Sequence, residues 1–254
     1  MDEQSLRKLA GKYKIPFGTL EKDYALTNLL LVISTFPKLD TMVFKGGTAL
    51  KKIHFENFRF SEDLDFVCFK DVSEDFMNFV KSNMKGLDVE FTEITDLEKK
   101  NESVKFKVKY NQSNGARTSI KVDLSLRGDV MMEHPTKPIL HFYDTFPNAF
   151  SVPAMPLEEI MAEKIRAIIY TKHPRHLYDI QYLHNQGVKI NPDMVRTKIK
   201  SVYKEDFDIN KLKEKLPEKE KDWITDLRPL LPIPPPPFKE VSKEVLEIIT
   251  EAVK

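Results

Sequence analysis

Asp63-Leu64-Asp65 is the segment of this chain with the clearest capacity for chemistry. In a β-strand, residues two apart share one face, so Asp63 and Asp65 project together while Leu64, Phe66 and Cys68 turn towards a core. Carboxylates about 6 to 7 Å apart along a strand repel each other unless a cation lies between them. They are hard oxygen ligands of the kind that suits Mg²⁺. On its own, an Asp-x-Asp also reads as a solvated strand edge. A third carboxylate shifts that balance. Ile120, Val122, Leu124 and Leu126 alternate with Lys121, Asp123 and Ser125, which places Asp123 on the polar face of a second strand. Aspartate is disfavoured in strands, so three of them on two strands call for a reason.

The chain holds only eight glycines, and two are adjacent, in Lys45-Gly46-Gly47-Thr48. A short apolar strand precedes them and a helical stretch follows. Free backbone N–H groups and a hydroxyl therefore fall at a helix start, where unpaired donors and partial positive charge favour phosphate. The P-loop pattern is absent, because the lysine precedes the glycines. Taken alone, such a pair also serves as a tight connection. Taken together, a Gly-Gly-Thr turn, an Asp-x-Asp and a third strand aspartate make a metal-assisted nucleotidyl-transfer site. In that chemistry, divalent ions stabilise the attacking and leaving oxygens of an in-line displacement at the α-phosphate.

The elements that must position these residues follow from periodicity. Helices are expected at 3–13 and 18–35, the second capped by Thr19 with Leu20, Tyr24, Thr27 and Leu31 on one stripe. A strand at 41–44, the glycine turn, a helix to about 54, a strand at 64–69 and a helix at 73–84 come next. Alternation predicts strands at 89–95, 104–110 and 118–126, the last two joined as a hairpin through Asn111-Gln112-Ser113-Asn114-Gly115. From Pro153 the pattern turns helical, at 157–170, 174–186, 192–203 and 238–253, with short charged pieces between 209 and 228. Pro232 and Pro234 to Pro237 read as a rigid spacer before the last helix, with docking into a partner's aromatic groove as the alternative. The expected class is α+β (α/β): a sheet domain over 1–152 with two N-terminal helices, and a helical domain over 153–254 contributing to the active-site cleft.

Composition narrows the alternatives. At 254 residues and 41% hydrophobic, the chain suits one domain or two small ones. The single cysteine, Cys68, excludes a disulfide-stapled scaffold and reads as a buried thiol. Forty basic against 39 acidic residues leave no global field for nucleic acid, so any RNA contact must come from a local patch. No signal-peptide pattern and no apolar run near 20 residues is present, which points to a cytoplasmic protein without a membrane partner. The six histidines show no zinc spacing, and no serine-hydrolase elbow is present.

Lys45-Gly46-Gly47-Thr48-Ala49-Leu50 followed by Arg59-Phe60-Ser61-Glu62-Asp63-Leu64-Asp65-Phe66 closely resembles the signature of the AbiEii/AbiGii-type toxin nucleotidyltransferases. These belong to the DNA polymerase β-like nucleotidyltransferase superfamily. Glu21-Lys22-Asp23-Tyr24 resembles that family's N-terminal helix. Val122-Asp123-Leu124, Ala162-Glu163-Lys164-Ile165 and Arg175-His176-Leu177-Tyr178-Asp179-Ile180 resemble its later motifs. The likeness covers roughly 16–185. It implies a polymerase β-like fold, Mg²⁺, a nucleoside triphosphate substrate, and transfer of NMP to an acceptor such as the tRNA 3′ end. It also implies a toxin paired with a winged-helix antitoxin. By motif position, Gly47 and Thr48 would hold the triphosphate, with Gly46 beside them, and Asp63 and Asp65 the metal. Lys164 and Asp179 would complete the active site. Thr48 stands where many nucleotidyltransferases have serine. Asp123 is the candidate third metal carboxylate, able also to activate the acceptor hydroxyl.

Read without the family, Lys164 falls within the apolar stripe Leu157, Ile160, Met161 and Ile168, with no carboxylate three or four residues away. Either it snorkels, or it points into a cleft to meet phosphate oxygens and bind nucleotide. Asp179 lies four residues from Arg175, which also allows an ordinary surface ion pair. Two other functions remain open: transfer to a protein hydroxyl or small molecule, and an inactive module that binds nucleotide or antitoxin.

Overall fold

The computed structural model describes residues 1–147 and 149–253. The chain divides into two compact units, Met1–Met155 and Pro156–Lys254.

The first unit opens with α1 (Glu3–Tyr13), whose first turn is closed by the Asp2 side chain accepting from Ser5 N at 2.8 Å. Helix α2 (Phe17–Ile33) begins one residue earlier and ends two residues earlier than the sequence suggests. Thr19 is not its cap; the amides of Thr19 and Leu20 both donate to the Pro16 carbonyl. The expected single stripe is also too narrow. Twelve of its seventeen residues are buried, among them Asp23, Thr27 and Asn28, so α2 is packed on nearly every side. A helix surrounded this way has no polar face for periodicity to detect.

Strand β1 (Met42–Lys45) leads into α3 (Gly46–Ala49), which widens into a π-type turn at Leu50–His54. Then come β2 (Asp63–Cys68), α4 (Ser73–Asn83), β3 (Phe91–Lys100), β4 (Ser103–Asn111) and β5 (Arg117–Ser125). The five strands form one sheet in the order β1-β2-β5-β4-β3. β2 and β5 are parallel and every other neighbouring pair is antiparallel. Alternation works as expected: Leu64, Phe66, Val104, Phe106, Val108, Ile120, Val122 and Leu124 are buried on the core side. Phe36, Phe66, Phe76 and Phe106 interlock there, ring against ring.

Strand β3 runs five residues beyond its expected end. A bulge between Thr95 and Glu98, with Asp96 at φ 53°, restores pairing for a charged tail that alternation alone would exclude. A two-stranded ribbon, β6 (Thr136–Pro138) with β7 (Ser151–Pro153), was not anticipated. Each strand is three residues long and contains proline, too short a run for a period to register.

The second unit holds α5 (Leu157–Tyr170), α6 (Arg175–Asn185), α7 (Pro192–Tyr203), α8 (Ile209–Lys215), α9 (Trp223–Leu227) and α10 (Phe238–Val253). Asn191 caps α7 through Met194 N, and Asp208 caps α8 through Asn210 N. Inside, Lys198 meets Glu159 at 2.6 Å, both almost wholly buried. The proline run folds against its own unit: Trp223 Nε1 donates to the Pro236 carbonyl at 2.8 Å and its ring meets Phe238 edge-on. Among the described residues, no helix is long and apolar enough to cross a membrane.

Candidate active site

The expected face forms in the first unit. Asp65 is the register partner of Asp123 on β5 and of Lys45 on β1, and Asp123 is in turn the partner of Lys105 on β4. Register partners share a face, so one row reads Lys45, Asp65, Asp123, Lys105, then Glu98 of β3. A second row, one step along, reads Asp63, Lys121, Lys107 and Thr95. The three aspartates are partly exposed, whereas the alternate residues Leu64, Phe66, Val122 and Leu124 are buried.

The glycine turn is built against this face. Gly46 has φ 81°, a conformation that favours glycine, and a Cβ there would run into the Asp65 carboxylate. A Cβ on Gly47 would lie 2.9 Å from the Arg59 guanidinium and 3.2 Å from Ser61 Oγ. Arg59 is itself 2% exposed and donates to the Phe60 carbonyl at 2.9 Å. Bare backbone at both positions lets Asp65 and Arg59 close in. Thr48 is buried, and its hydroxyl donates to the Asp63 carbonyl, tying the turn to the first residue of β2. The hydroxyl thus serves first to hold turn and strand together. The first N–H groups of a helix have no partner within it, which leaves the turn's amides suited to an anion.

Asp123 carries its own counter-ion, with Lys105 Nζ 2.6 Å from Oδ2. Burial draws the Lys105 ammonium down, but the hydrogen bond and charge of Asp123, helped by Asp65 and Glu98, outweigh it and hold the group above its ordinary value. Asp63, Asp65 and Asp123 share a face without converging: among the described residues, no three His, Cys, Asp or Glu side chains gather to hold a metal. That still fits Mg²⁺, which commonly takes one or two carboxylates and completes its octahedron with water and substrate phosphates. Asp63 and Asp65 supply such a donor pair.

In the second unit, Lys164 and Asp179 meet. Nζ of Lys164 lies 2.7 Å from Asp179 Oδ2, with the side chains 7% and 0% exposed. Lys164 therefore does not snorkel; its charge is answered by a carboxylate on the next helix. Asp179 is fully buried rather than a surface group, and the neighbouring Arg175 meets Asp226 through its amide at 3.1 Å and its guanidinium at 3.6 Å.

Sequence reasoning passed over Lys45, Lys105 and Arg59. Lys105 had a signal, since it sits on the polar side of an alternating strand, but its partner depends on register. The same holds for Lys52, whose ammonium is buried beside Asp23 at 2.6 Å.

The sequence matches the model of the nucleotidyl transferase AbiEii toxin family, a type IV toxin–antitoxin system, over residues 28–246. The chain belongs to that family, and it is a nucleotidyltransferase of the toxin type. No curated protein matches it significantly. Among solved structures, the fold is similar to MenT4, a nucleotidyltransferase toxin of Mycobacterium tuberculosis H37Rv. That likeness has a TM-score of 0.68 and 19% identity over 99% of this chain and 90% of the other. A Helicobacter pylori protein described as a proposed nucleotidyltransferase gives a TM-score of 0.63, 20% identity, and coverage of 94% and 96%. JHP933 from Helicobacter pylori gives 0.56 and 20%, over 94% and 93%.

Proposed function

We propose that this toxin is a Mg²⁺-dependent enzyme that transfers NMP from a nucleoside triphosphate to RNA, with the 3′ end of tRNA as acceptor. The observation that carries the reading is Asp63, Asp65 and Asp123 on one sheet face, with Gly46 backbone pressed against Asp65. Asp63 and Asp65 would hold the metal, which when bound supplies positive charge at the α-phosphate. Gly46, Gly47 and Thr48 shape the turn that receives the triphosphate, its amides supplying donors to phosphate oxygens. Asp123 lies beside Asp65 as the third carboxylate, able to ligate metal or to take the proton of the acceptor hydroxyl. Lys164, ion-paired with Asp179 in the second unit, is assigned to the active site by motif position.

An RNA acceptor is favoured by what surrounds the aspartates. Lys105, Lys107 and Lys109 of β4 and Lys121 of β5 lie on the same sheet face. This is the local cationic patch that a chain of near-neutral charge requires for a polyanion. Ion pairs to Asp123, Asp96 and Glu93 temper it without covering Lys121. A winged-helix antitoxin and a cytoplasmic setting complete the proposal.

The test incubates the protein with Mg²⁺ and each labelled nucleoside triphosphate, against total tRNA and against protein extract. Label on tRNA, lost in Asp65→Ala, is the expected result. Label on protein moves the acceptor to a protein hydroxyl. No transfer to either overturns the reading.

A further inference from the structure

Asp23 and Lys52 form an ion pair inside the first unit, Nζ to Oδ2 2.6 Å, each side chain 1% exposed. Nothing in the reading of the active site uses them. We propose that this pair is a positioning device for the glycine turn, with Lys52 acting through Gly46–Thr48 on the bound triphosphate. The inference rests on the assignment of that turn to the triphosphate.

Lys52 lies four residues beyond Thr48 in the same helical run, so both side chains fall on neighbouring parts of one face. Its ammonium donates to Asp23 and, at 2.9 Å, to Thr27 Oγ1, both on α2. Tyr143 completes the set by donating its hydroxyl to Asp23 Oδ2 at 2.8 Å. The backbone is held as well: Leu140 N donates to the Lys52 carbonyl at 2.6 Å. At the other end of the run, Thr48 holds Asp63. The turn is thus fixed from α2 on one side and from β2 on the other.

Stability alone does not call for this arrangement. A buried ion pair replaced by well-packed apolar residues is often neutral or stabilising, because both charges were desolvated. What an ion pair with three hydrogen bonds adds is direction. Apolar contact is non-directional and tolerates a helix that slides or turns, whereas an ammonium among fixed oxygens does not. Tolerance matters here because the Gly46 turn sits close to Asp65, so close that a Cβ added at Gly46 would run into the Asp65 carboxylate. The π-type turn at Leu50–His54 brings Lys52 onto Asp23 within this run, and such turns recur at functional sites.

The experiment compares the wild type with Asp23→Leu/Lys52→Met and with Tyr143→Phe. It reads the melting temperature, the calorimetric affinity for each ribonucleoside triphosphate with Mg²⁺, and the split between kcat and KM. The double variant is expected to melt close to the wild type yet bind triphosphate about tenfold more weakly, the loss appearing in KM. Tyr143→Phe keeps the ion pair and removes one hydrogen bond; about threefold weaker binding is expected. A folded double variant that binds like the wild type overturns the inference while leaving the nucleotide reading intact. Should the double variant not fold, unchanged binding in Tyr143→Phe overturns it. A wild type that binds none of the four triphosphates refutes the nucleotide reading itself.

Discussion

Asp65 and Asp123 stand directly opposite each other on adjacent parallel strands, two carboxylates in register with a lysine on either side of the pair. Parallel neighbours lie about 4.8 Å apart, so the backbones that carry Asp65 and Asp123 are held closer across the sheet than those of Asp63 and Asp65 are along it. The lysines relieve part of the repulsion, and a divalent cation would relieve more.

Asp65→Asn is therefore expected to abolish transfer while leaving the fold unharmed. The change relieves the like-charge contact with Asp123 and gives up attraction to Lys45, so the two effects offset and the melting temperature should stay close to that of the wild type. Activity should fall by at least about 100-fold, the scale on which single electrostatic stabilisers act. Radiolabel transfer and thermal unfolding, measured on the same preparation, check both halves.

Gly46→Ala should damage both fold and site. The left-handed backbone costs a non-glycine residue about 1 to 2 kcal/mol, and the new methyl must also displace the Asp65 carboxylate. A urea titration should show a lower midpoint, with transfer reduced further than stability explains.

Lys164→Met alone leaves the Asp179 carboxyl fully buried without its ammonium. Breaking one side of such a pair costs about 3 to 5 kcal/mol. Lys164→Met/Asp179→Leu should recover most of that loss. If Lys164 serves transfer, the recovered protein remains inactive; a stable double variant with wild-type activity would confine the pair to a folding role.

Lys51 sets a pH dependence. Burial draws its ammonium down to about 8, with Asp23 pulling the other way and Lys52 adding to the fall. In the unfolded chain it keeps its proton to its ordinary 10.5. Between pH 8 and 10.5 the unfolded state binds more protons, so this group makes stability rise with pH across that window. Below pH 8 both states are protonated and it contributes no slope. A gap of this width corresponds to at most about 3 kcal/mol. Lys51→Met should flatten the rise, as followed by denaturant midpoints at several pH values.

Cys68 should be inert in the folded protein. Burial, with a smaller push from Asp71, raises its thiol to about 12, so almost no thiolate exists at pH 8. Its reaction with an aromatic disulfide reagent should track global unfolding. Rapid labelling of the native protein would contradict this burial.

Much of the site was legible because strands repeat every two residues. That period alone puts Asp63 with Asp65, and Asp123 opposite the apolar set of its own strand. What it cannot supply is which strands adjoin and at what offset. The pairing of Asp65 with Asp123, and of Asp123 with Lys105, is set by strand order β2-β5-β4, and no local pattern encodes that order. Lys164 and Asp179 were each visible as anomalies, one charged in an apolar stripe and one suggesting a surface pair. Their mutual partnership depends on how α5 packs on α6. Helix α2 misled for the opposite reason: buried on most sides, it has no contrast between faces, and the stripe Leu20, Tyr24, Thr27 and Leu31 gives no sign that Asp23 is buried too.

The bulge at Asp96 has a consequence for assembly. β3 is the outermost strand on its side of the sheet, long and largely exposed, the sort of border that invites a foreign strand to pair with it. The bulge breaks its straightness, and Glu93, Glu98, Lys99 and Lys100 crowd it with charge of both signs. Another chain is therefore a poor fit as a sixth strand beside β3, and a short β-forming peptide should fail to pair with it.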